Sequence, residues 1–282
     1  MQTIGIIGGS GFYDLEGLTE VQEVTVDTPF GAPSDAYRVG RLGDRRLVFL
    51  ARHGRGHRYS PSEINYRANV WGMKSLGVEW LVSVSAVGSL REDIQPGHLV
   101  VIDQSIDRTL TRARTFFEGG VVAHVSMADP VCKHLANHLA DAAATSGATL
   151  HRGGTYVCIE GPQFSTRAES HLYRSWNADV IGMTHLPEAR LAREAQLCYA
   201  TLALSTDYDC WHTSEEAVTV EMVVKVMKQN VANAQKAVRE LALNVPLERT
   251  CGCPTALRGA VMSDVKHLTP QLKARLALLL GE

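Results

Sequence analysis

Two carboxylates close an apolar run in "LALSTDYDCW", Leu202 to Trp211, with one tyrosine between them. Side chains of a strand alternate faces, so Asp207 and Asp209 project to one side and Tyr208 to the other if the extended backbone continues. The two acids can then act on one object. A second kind of chemistry sits where other apolar runs stop. "GGSG", Gly8 to Gly11, offers converging backbone amides and the Ser10 hydroxyl to an anion. "LARHGRGH" places Arg52 and His53 at the end of its run, with Arg55 and His57 close behind, and a guanidinium fork beside an imidazole suits a phosphate dianion. Ser85-Ala86 and Met183-Thr184 again supply hydroxyls and backbone amides. Four run ends therefore present oxyanion donors.

Several other chemistries find no support. "GGSG" does not continue into G-x-G-x-x-G or a P-loop, which counts against dinucleotides and ATP. The His53/His57 pair lacks the glutamate of H-E-x-x-H, so no metal is expected there. No G-x-S-x-G elbow or Cys/His motif points to a covalent hydrolase. Cys132, Cys158, Cys198 and Cys210 lie in or beside apolar segments and read as thiols packed as small hydrophobes. In "CGC", Cys251 and Cys253 are spaced wrongly for a zinc ribbon or a C-x-x-C redox pair; a redox or disulfide role is one hypothesis there, and no metal is expected anywhere. In "IEGPQFSTRAES", Glu160 either accepts from sugar hydroxyls or ties down its own loop, and Phe164 either covers a flat ring or belongs to the core.

These positions need a framework. Ile4–Ile7, Arg46–Ala51, Trp80–Ala86, Leu99–Ile102, Thr155–Ile159, Asp179–Met183 and Tyr199–Ser205 are expected as strands, several too uniformly apolar to have a wet face. Helices are expected over Glu63–Leu76, Val131–Ser146, Pro187–Ala195 and Val220–Ala242, with a shorter one over Thr269–Leu280. The alternation predicts an α/β fold, a single-domain mixed β-sheet flanked by helices, in which ligands gather where strands give way to loops. The chain divides at about Pro246, giving a main unit over residues 1–245 and an appendage over 246–282. Its 282 residues, 45% of them hydrophobic, are enough for one large core. A formal net charge of -2 with scattered basic residues excludes a polyanion-binding field, so no nucleic acid is expected. No secretory leader or apolar stretch of spanning length is seen, so a cytoplasmic protein without membrane partners is expected.

"IGIIGGSG", "TPFGAPSD", "ARHGRGH", "NYRANVWGMKSLG", "SAVGSLREDIQPGHLVVIDQSIDRT", "IEGPQFSTRAES", "ADVIGMTHLPEARLAREAQLCYA" and "STDYDCW" follow one another in order. From Ile4 to Ala242 the chain resembles the trimeric purine nucleoside phosphorylase family, and within it the 5'-methylthioadenosine phosphorylase branch; beyond Pro246 the likeness is poor. The resemblance implies that phosphate is bound by Ser10, Arg52, His53, Ser85, the backbone amide of Ala86, and Thr184. Ser10 and Ser85 stand where many members of that branch have threonine, and either residue keeps the hydroxyl. It places the ribose near Met183 and the base beside Phe164 and Ser165. His124 matches a histidine that closes the 5' end of a neighbouring subunit's site, which implies a homotrimer.

The acid pair then acquires a use. Adenine offers an acceptor at N7 and a donor at its amine. Burial and mutual repulsion raise one carboxyl pKa, and the family roles make Asp207 the protonated donor to N7 and Asp209 the ionised acceptor. The implied reaction is phosphorolysis of the N-glycosidic bond of a methylthio nucleoside, with phosphate as co-substrate and no cofactor. Val220 stands where the purine enzymes commonly have a histidine. With Val223 it either forms an apolar pocket for a methylthio group or packs in the core. A 6-oxopurine or methylthioinosine phosphorylase is the near alternative, and a non-catalytic nucleoside-binding protein the distant one.

Overall fold

Strands that are apolar on both faces must lie between two layers of helix, and the apolar runs of this chain do. A computed structural model describes residues 2–9, 15–212 and 220–281, without the side chains of residues 220–225 and 265. Among the described residues the strands are β1 (Thr3–Gly8), β2 (Thr19–Val24), β3 (Tyr37–Leu42), β4 (Arg45–Ala51), β5 (Trp80–Ser89), β6 (Leu99–Val101), β7 (Gln104–Arg108), β8 (Leu150–Arg152), β9 (Thr155–Ile159), β10 (Val180–Gly182) and β11 (Cys198–Asp207). The helices are α1 (Tyr66–Ser75), α2 (Lys133–Ala144), α3 (Arg167–Ser175), α4 (His185–Glu194), α5 (Val220–Asn244) and α6 (Pro270–Leu280). All strands join one mixed sheet with the main order β2-β3-β4-β1-β5-β10-β9-β7; β11 pairs with β5 and β6, and β8 with β6.

Period-two alternation sorts the strand side chains between two cores. Ile4, Ile6, Leu47 and Phe49 pack with Leu135 and Leu139 of α2 and with Ala234, Val238 and Leu241 of α5. Ile7, Val48 and Leu50 face the other way, against Val70 and Met73 of α1, Ala189 and Ala192 of α4, and Leu276 and Leu279 of α6. The residues after Pro246 are thus fastened to the main core through α6. Gln2 donates to the Pro246 carbonyl at 2.7 Å, and an isolated antiparallel bridge joins Ala123 to Val261. No helix among the described residues is long and apolar enough to cross a membrane.

The spine of the sheet is β5. Along one edge it pairs with β11 from Cys198↔Trp80 to Asp207↔Gly88. Along the other it pairs with β1, ending at Ile7↔Ser83, and then with β10, beginning at Ile181↔Gly88. Between Ser83 and Gly88 that second edge has no strand partner among the described residues.

Candidate active site

The unpaired stretch of β5 dictates what gathers around it. The Val84 carbonyl accepts from Nη1 of Arg52 at 3.1 Å, which fixes that residue's polar groups on the uncovered edge. Two residues on, Ala86 turns its amide to the same edge by strand periodicity, and the Ser85 hydroxyl lies 3.2 Å from that of Thr184 and 3.2 Å from the Tyr156 phenol. The ends of β4 and β10 converge here on the middle of β5, which runs on to Ser89 rather than stopping at Ala86 as expected, beside Gly8 at the end of β1, whose carbonyl accepts from the Arg52 amide at 2.9 Å. Ser10 lies outside the described residues.

Arg52 is only 2% exposed. Glu188 takes it in a two-pronged ion pair, Nε to Oε2 at 2.8 Å and Nη2 to Oε1 at 3.1 Å; Nη2 also reaches Ser83 Oγ at 2.7 Å and the Ile7 carbonyl at 3.2 Å. Burial opposes the guanidinium charge, but the facing Glu188 carboxylate overrides it and the pKa is raised. With five N–H groups, and four of them engaged with Glu188, Ser83, Ile7 and Val84, Arg52 has at most one to turn toward an anion. What it brings to this edge is a fixed, buried positive charge. Tyr199 Oη donates to Glu188 Oε1 at 3.0 Å, completing that carboxylate's shell.

His53 is half-buried, and its Nδ1 lies 2.8 Å from the Tyr59 carbonyl. A carbonyl only accepts, so Nδ1 carries the hydrogen. Burial pushes the imidazole down to about 4, with the Arg52 charge adding to the effect. At neutral pH the ring is uncharged and its Nε2 is a lone-pair acceptor, suited to an anion that itself bears an O–H.

The acids stand on the opposite edge of the same strand. Both are buried, Asp207 at 7% and Asp209 at 6% exposure. The extended geometry expected through 207–209 does not persist: the β5–β11 register shifts between Ser205 and Asp207, β11 ends there, and Asp209 opens a short 3₁₀ turn with φ of 53°. The carboxyls are brought together by a tight turn, in which the Asp209 amide donates to Asp207 Oδ1 at 2.8 Å. Thr206 Oγ1 donates to Asp207 Oδ2 at 2.7 Å. The shift that burial produces is seen on Asp209. Asp209 is pushed up to about 6 by burial, with the Asp207 charge adding to it. Gly88 makes room for both: a Cβ there would lie 2.9 Å from Asp207 Oδ1 and 3.2 Å from Asp209 Cβ.

The other expected residues divide. Ser165 lies beside the acid turn, where Cys210 Sγ donates to its carbonyl at 3.2 Å, and its own buried hydroxyl has no partner within the described chain. Phe164 is 53% exposed, so the core reading fails for it. Met183 sits against the loop after β9; a Cβ on Gly161 would lie 2.5 Å from its sulfur. Glu160 ties down its loop, taking the Ser62 and Thr111 hydroxyls and the Leu110 amide. Burial opposes its ionisation, but these bonds outweigh it and hold the carboxyl down at about 2. His124 is exposed, on the segment bridged to Val261. The side chains of Val220 and Val223 lie outside the described residues, although α5 begins at Val220.

Sequence reading missed Glu188, Tyr156 and Arg112. Buried Arg112 donates to the carbonyls of Met183 at 2.6 Å, Leu186 at 2.7 Å and Glu160 at 2.7 Å, locking the loops after β9 and β10 together. Only Glu188 carried a local signal, a lone acid just after a strand end. The cysteines also need correction. Cys132, Cys198, Cys251 and Cys253 are not separate packed thiols but one cluster, with all four Sγ atoms within 4.8 Å of one another.

Residues 3–242 match the model of the Phosphorylase superfamily. The chain belongs to that superfamily. It is 57% identical over 281 residues to the S-methyl-5'-thioadenosine phosphorylase of Geobacter sulfurreducens, covering 99% of this chain and 98% of that protein. It is 54% identical over 279 residues to the enzyme of the same name from Koribacter versatilis, covering 99% and 96%. A methylthioadenosine phosphorylase from an antarctic soil metagenomic library superposes with a TM-score of 0.94 at 49% identity, covering 99% of this chain and 98% of that one. A mutant of the adenosine/methylthioadenosine phosphorylase from Schistosoma mansoni, in complex with methylthioadenosine, superposes at 0.83 with 35% identity, covering 100% and 98%. The sheet these proteins share is the one whose strand ends hold the cup and the acids.

Removing one member of a buried ion pair strands the other charge. Glu188→Ala should lower stability by about 3–5 kcal/mol, read as a drop in the urea midpoint. An unchanged midpoint would mean that Arg52 is not held as described.

Proposed function

We propose that this chain cleaves the N-glycosidic bond of 5'-methylthioadenosine with inorganic phosphate, releasing adenine and 5-methylthio-α-D-ribose 1-phosphate. The reading is carried by one observation: an oxyanion cup and a buried acid pair occupy the two edges of the same strand, β5, at the ends of a sheet closely shared with relatives of that name.

Phosphate sits in the cup on Ser10, the Ala86 amide, and the hydroxyls of Ser85 and Thr184. Arg52 supplies charge from behind, and the neutral His53 Nε2 accepts the phosphate O–H. The base lies between Phe164 and Ser165 with its edge on the acids, and the ribose lies against Met183. Adenine's amine is a donor, so it draws Asp209 into the ionised form; the proton the pair shares then resides on Asp207, facing N7. As the C1'–N9 bond stretches, the sugar gains positive charge and the base negative charge. Asp207 donates to N7 and relieves the base, while phosphate, held on the far side of C1', captures the sugar. The nucleophile is a substrate, so the chemistry calls on no cofactor. A 6-oxopurine turns an acceptor toward Asp209, which disfavours it by about a hundredfold or more.

The 5' end belongs to Val220 and Val223, an apolar pair suited to a thioether, and to His124 of a neighbouring copy in a homotrimer. Supporting that assembly, Val122 and Met262, joined by a backbone bond of 2.9 Å beside His124, are 46% and 66% exposed, an apolar patch of the kind that copies of a chain cover. Such a reaction serves purine and methionine salvage in the cytoplasm.

Base release from methylthioadenosine, adenosine and inosine, each with and without phosphate, tests the reading. Methylthioadenosine should be fastest and release should require phosphate; faster turnover of inosine, or release independent of phosphate, would sink it. Asp207→Asn should cut kcat/KM for methylthioadenosine by at least about 10²-fold, the scale of a lost general acid, with phosphate affinity little changed. Binding of adenine in the absence of phosphate reports the pair's proton directly. Because Asp209 loses its proton above about 6, affinity should fall roughly tenfold per pH unit above that point, whereas a flat profile from about pH 6 to 9 would show that no shared proton is needed.

A further inference from the structure

The cysteine cluster lies outside the machinery described above. Cys132 caps the N-terminus of α2, Cys198 is the first residue of β11, and Cys251 and Cys253 come from the turn that follows α5. Three segments distant in the chain thus aim four sulfurs at one point, with every pair of Sγ atoms within 4.8 Å and Cys198 and Cys251 at 3.3 Å. All four are free thiols, three of them buried and Cys251 half-buried. Thiols that merely fill space have no reason to share one centre. A tetrahedral ion with bonds of about 2.3 Å places its sulfurs about 3.8 Å apart, which this cluster meets with small adjustments.

From this geometry we infer that Cys132, Cys198, Cys251 and Cys253 bind one zinc ion as a closed, structural tetrathiolate site. Four soft ligands in a tetrahedral set, with no position left for water, suit a d¹⁰ divalent ion. Binding replaces four S–H bonds with four Zn–S bonds, sends four protons to solvent and moves no electrons. The resulting charge of -2 has local compensation: Cys132 stands at the positive end of the twelve-residue α2, and the Leu135 amide donates to its sulfur at 3.5 Å. The reaction does not pass through this site. Cys198 and Asp207 are the two ends of β11, roughly 30 Å apart along an extended strand of ten residues. The ion's work is to clamp the segment after α5 onto the sheet, upstream of the Val261 bridge to Ala123 that holds the His124 loop.

The full chain, purified under reductant without chelator and with any histidine tag removed, should contain about one zinc per chain by elemental analysis. After stripping and reloading with cobalt it should show sulfur-to-cobalt charge-transfer bands and the intense visible bands of a tetrahedral centre. Cys251→Ser and Cys253→Ser should each lose the zinc and lower the thermal midpoint, while Cys210→Ser, outside the cluster, keeps both. A folded wild-type chain that contains no zinc and takes up no cobalt would overturn the inference. So would disulfides joining any of the four in acid-quenched, alkylated protein, iron in place of zinc, or full zinc retention by the Cys251→Ser, Cys253→Ser double variant.

Discussion

The site depends on a strand edge left uncovered. Strand β5 continues past the end of β1, and β10 takes up pairing only at Gly88, so the backbone groups of the intervening residues need other partners. Arg52 answers one of them, the Val84 carbonyl, and in doing so brings a full charge into a buried position. A buried guanidinium is tolerable only with a close counter-ion and satisfied N–H groups. Glu188, Ser83 and the Ile7 carbonyl provide these, and Tyr199 in turn completes Glu188. The cup therefore exists because the sheet is incomplete there. Its charge is fixed by a network that does not need the ligand to hold it.

The same strand sets the acids. Gly88 pairs with Ile181 on one edge and Asp207 on the other, and lacking a side chain it leaves room for Asp207 Oδ1 and Asp209 Cβ. The register shift before Asp207 turns the chain out of the sheet. Asn230 of α5 is recruited there, donating to the Ser205 carbonyl at 2.8 Å. A regular strand would have kept Asp207 and Asp209 about two residues apart along one face. The turn instead joins them through a backbone hydrogen bond, so the ionisation of one is felt by the other. The coupling between the two acids follows from backbone irregularity as much as from residue type.

Local pattern explains what could be read in advance. Thr155–Ile159 is a strand over the expected residues, and the other six expected strands differ only at their ends, because apolar β-rich runs have few alternatives. The helices differ likewise; α1 starts at Tyr66 rather than Glu63, where the Asn65 side chain caps it. Strand β2, "TEVQEV", escaped because it is an exposed edge strand with no apolar alternation. Helix α3 buries only Ser170 and Tyr173, so periodicity was silent; its capping box, Thr166 with Glu169, was the one available cue. Arg52, His53, Thr184 and the acids were legible as a set because each lies at or just past the end of a strand, and Ser85 because the expected strand stopped beside it, although β5 runs on to Ser89. Arg112 follows no pattern, since it acts by reaching three carbonyls from a loop. The cysteine cluster was invisible for a related reason: spacing along the chain reveals a site built from one segment, and this one is built from three.

The segment after Pro246 shows how far such long-range ties can alter a reading. By sequence it reads as an aperiodic appendage of poor likeness to the family, yet the alignment with the Geobacter sulfurreducens relative, over 281 residues, runs through it. In space it contributes Leu276 and Leu279 to the core that also holds α1 and α4, and donates Ala260 and Val261 to the neighbours of His124. A short helix preceded by an irregular stretch has little intrinsic stability, because nucleation is costly and few residues propagate it. Its order must come from docking, and docking requires that the irregular stretch start from a defined place. The C-G-C turn stands at that start, next to the first residue of the strand whose far end carries the acids. The state of those sulfurs therefore bears on how the segment that neighbours His124 is held, without touching the groups gathered on the two edges of β5.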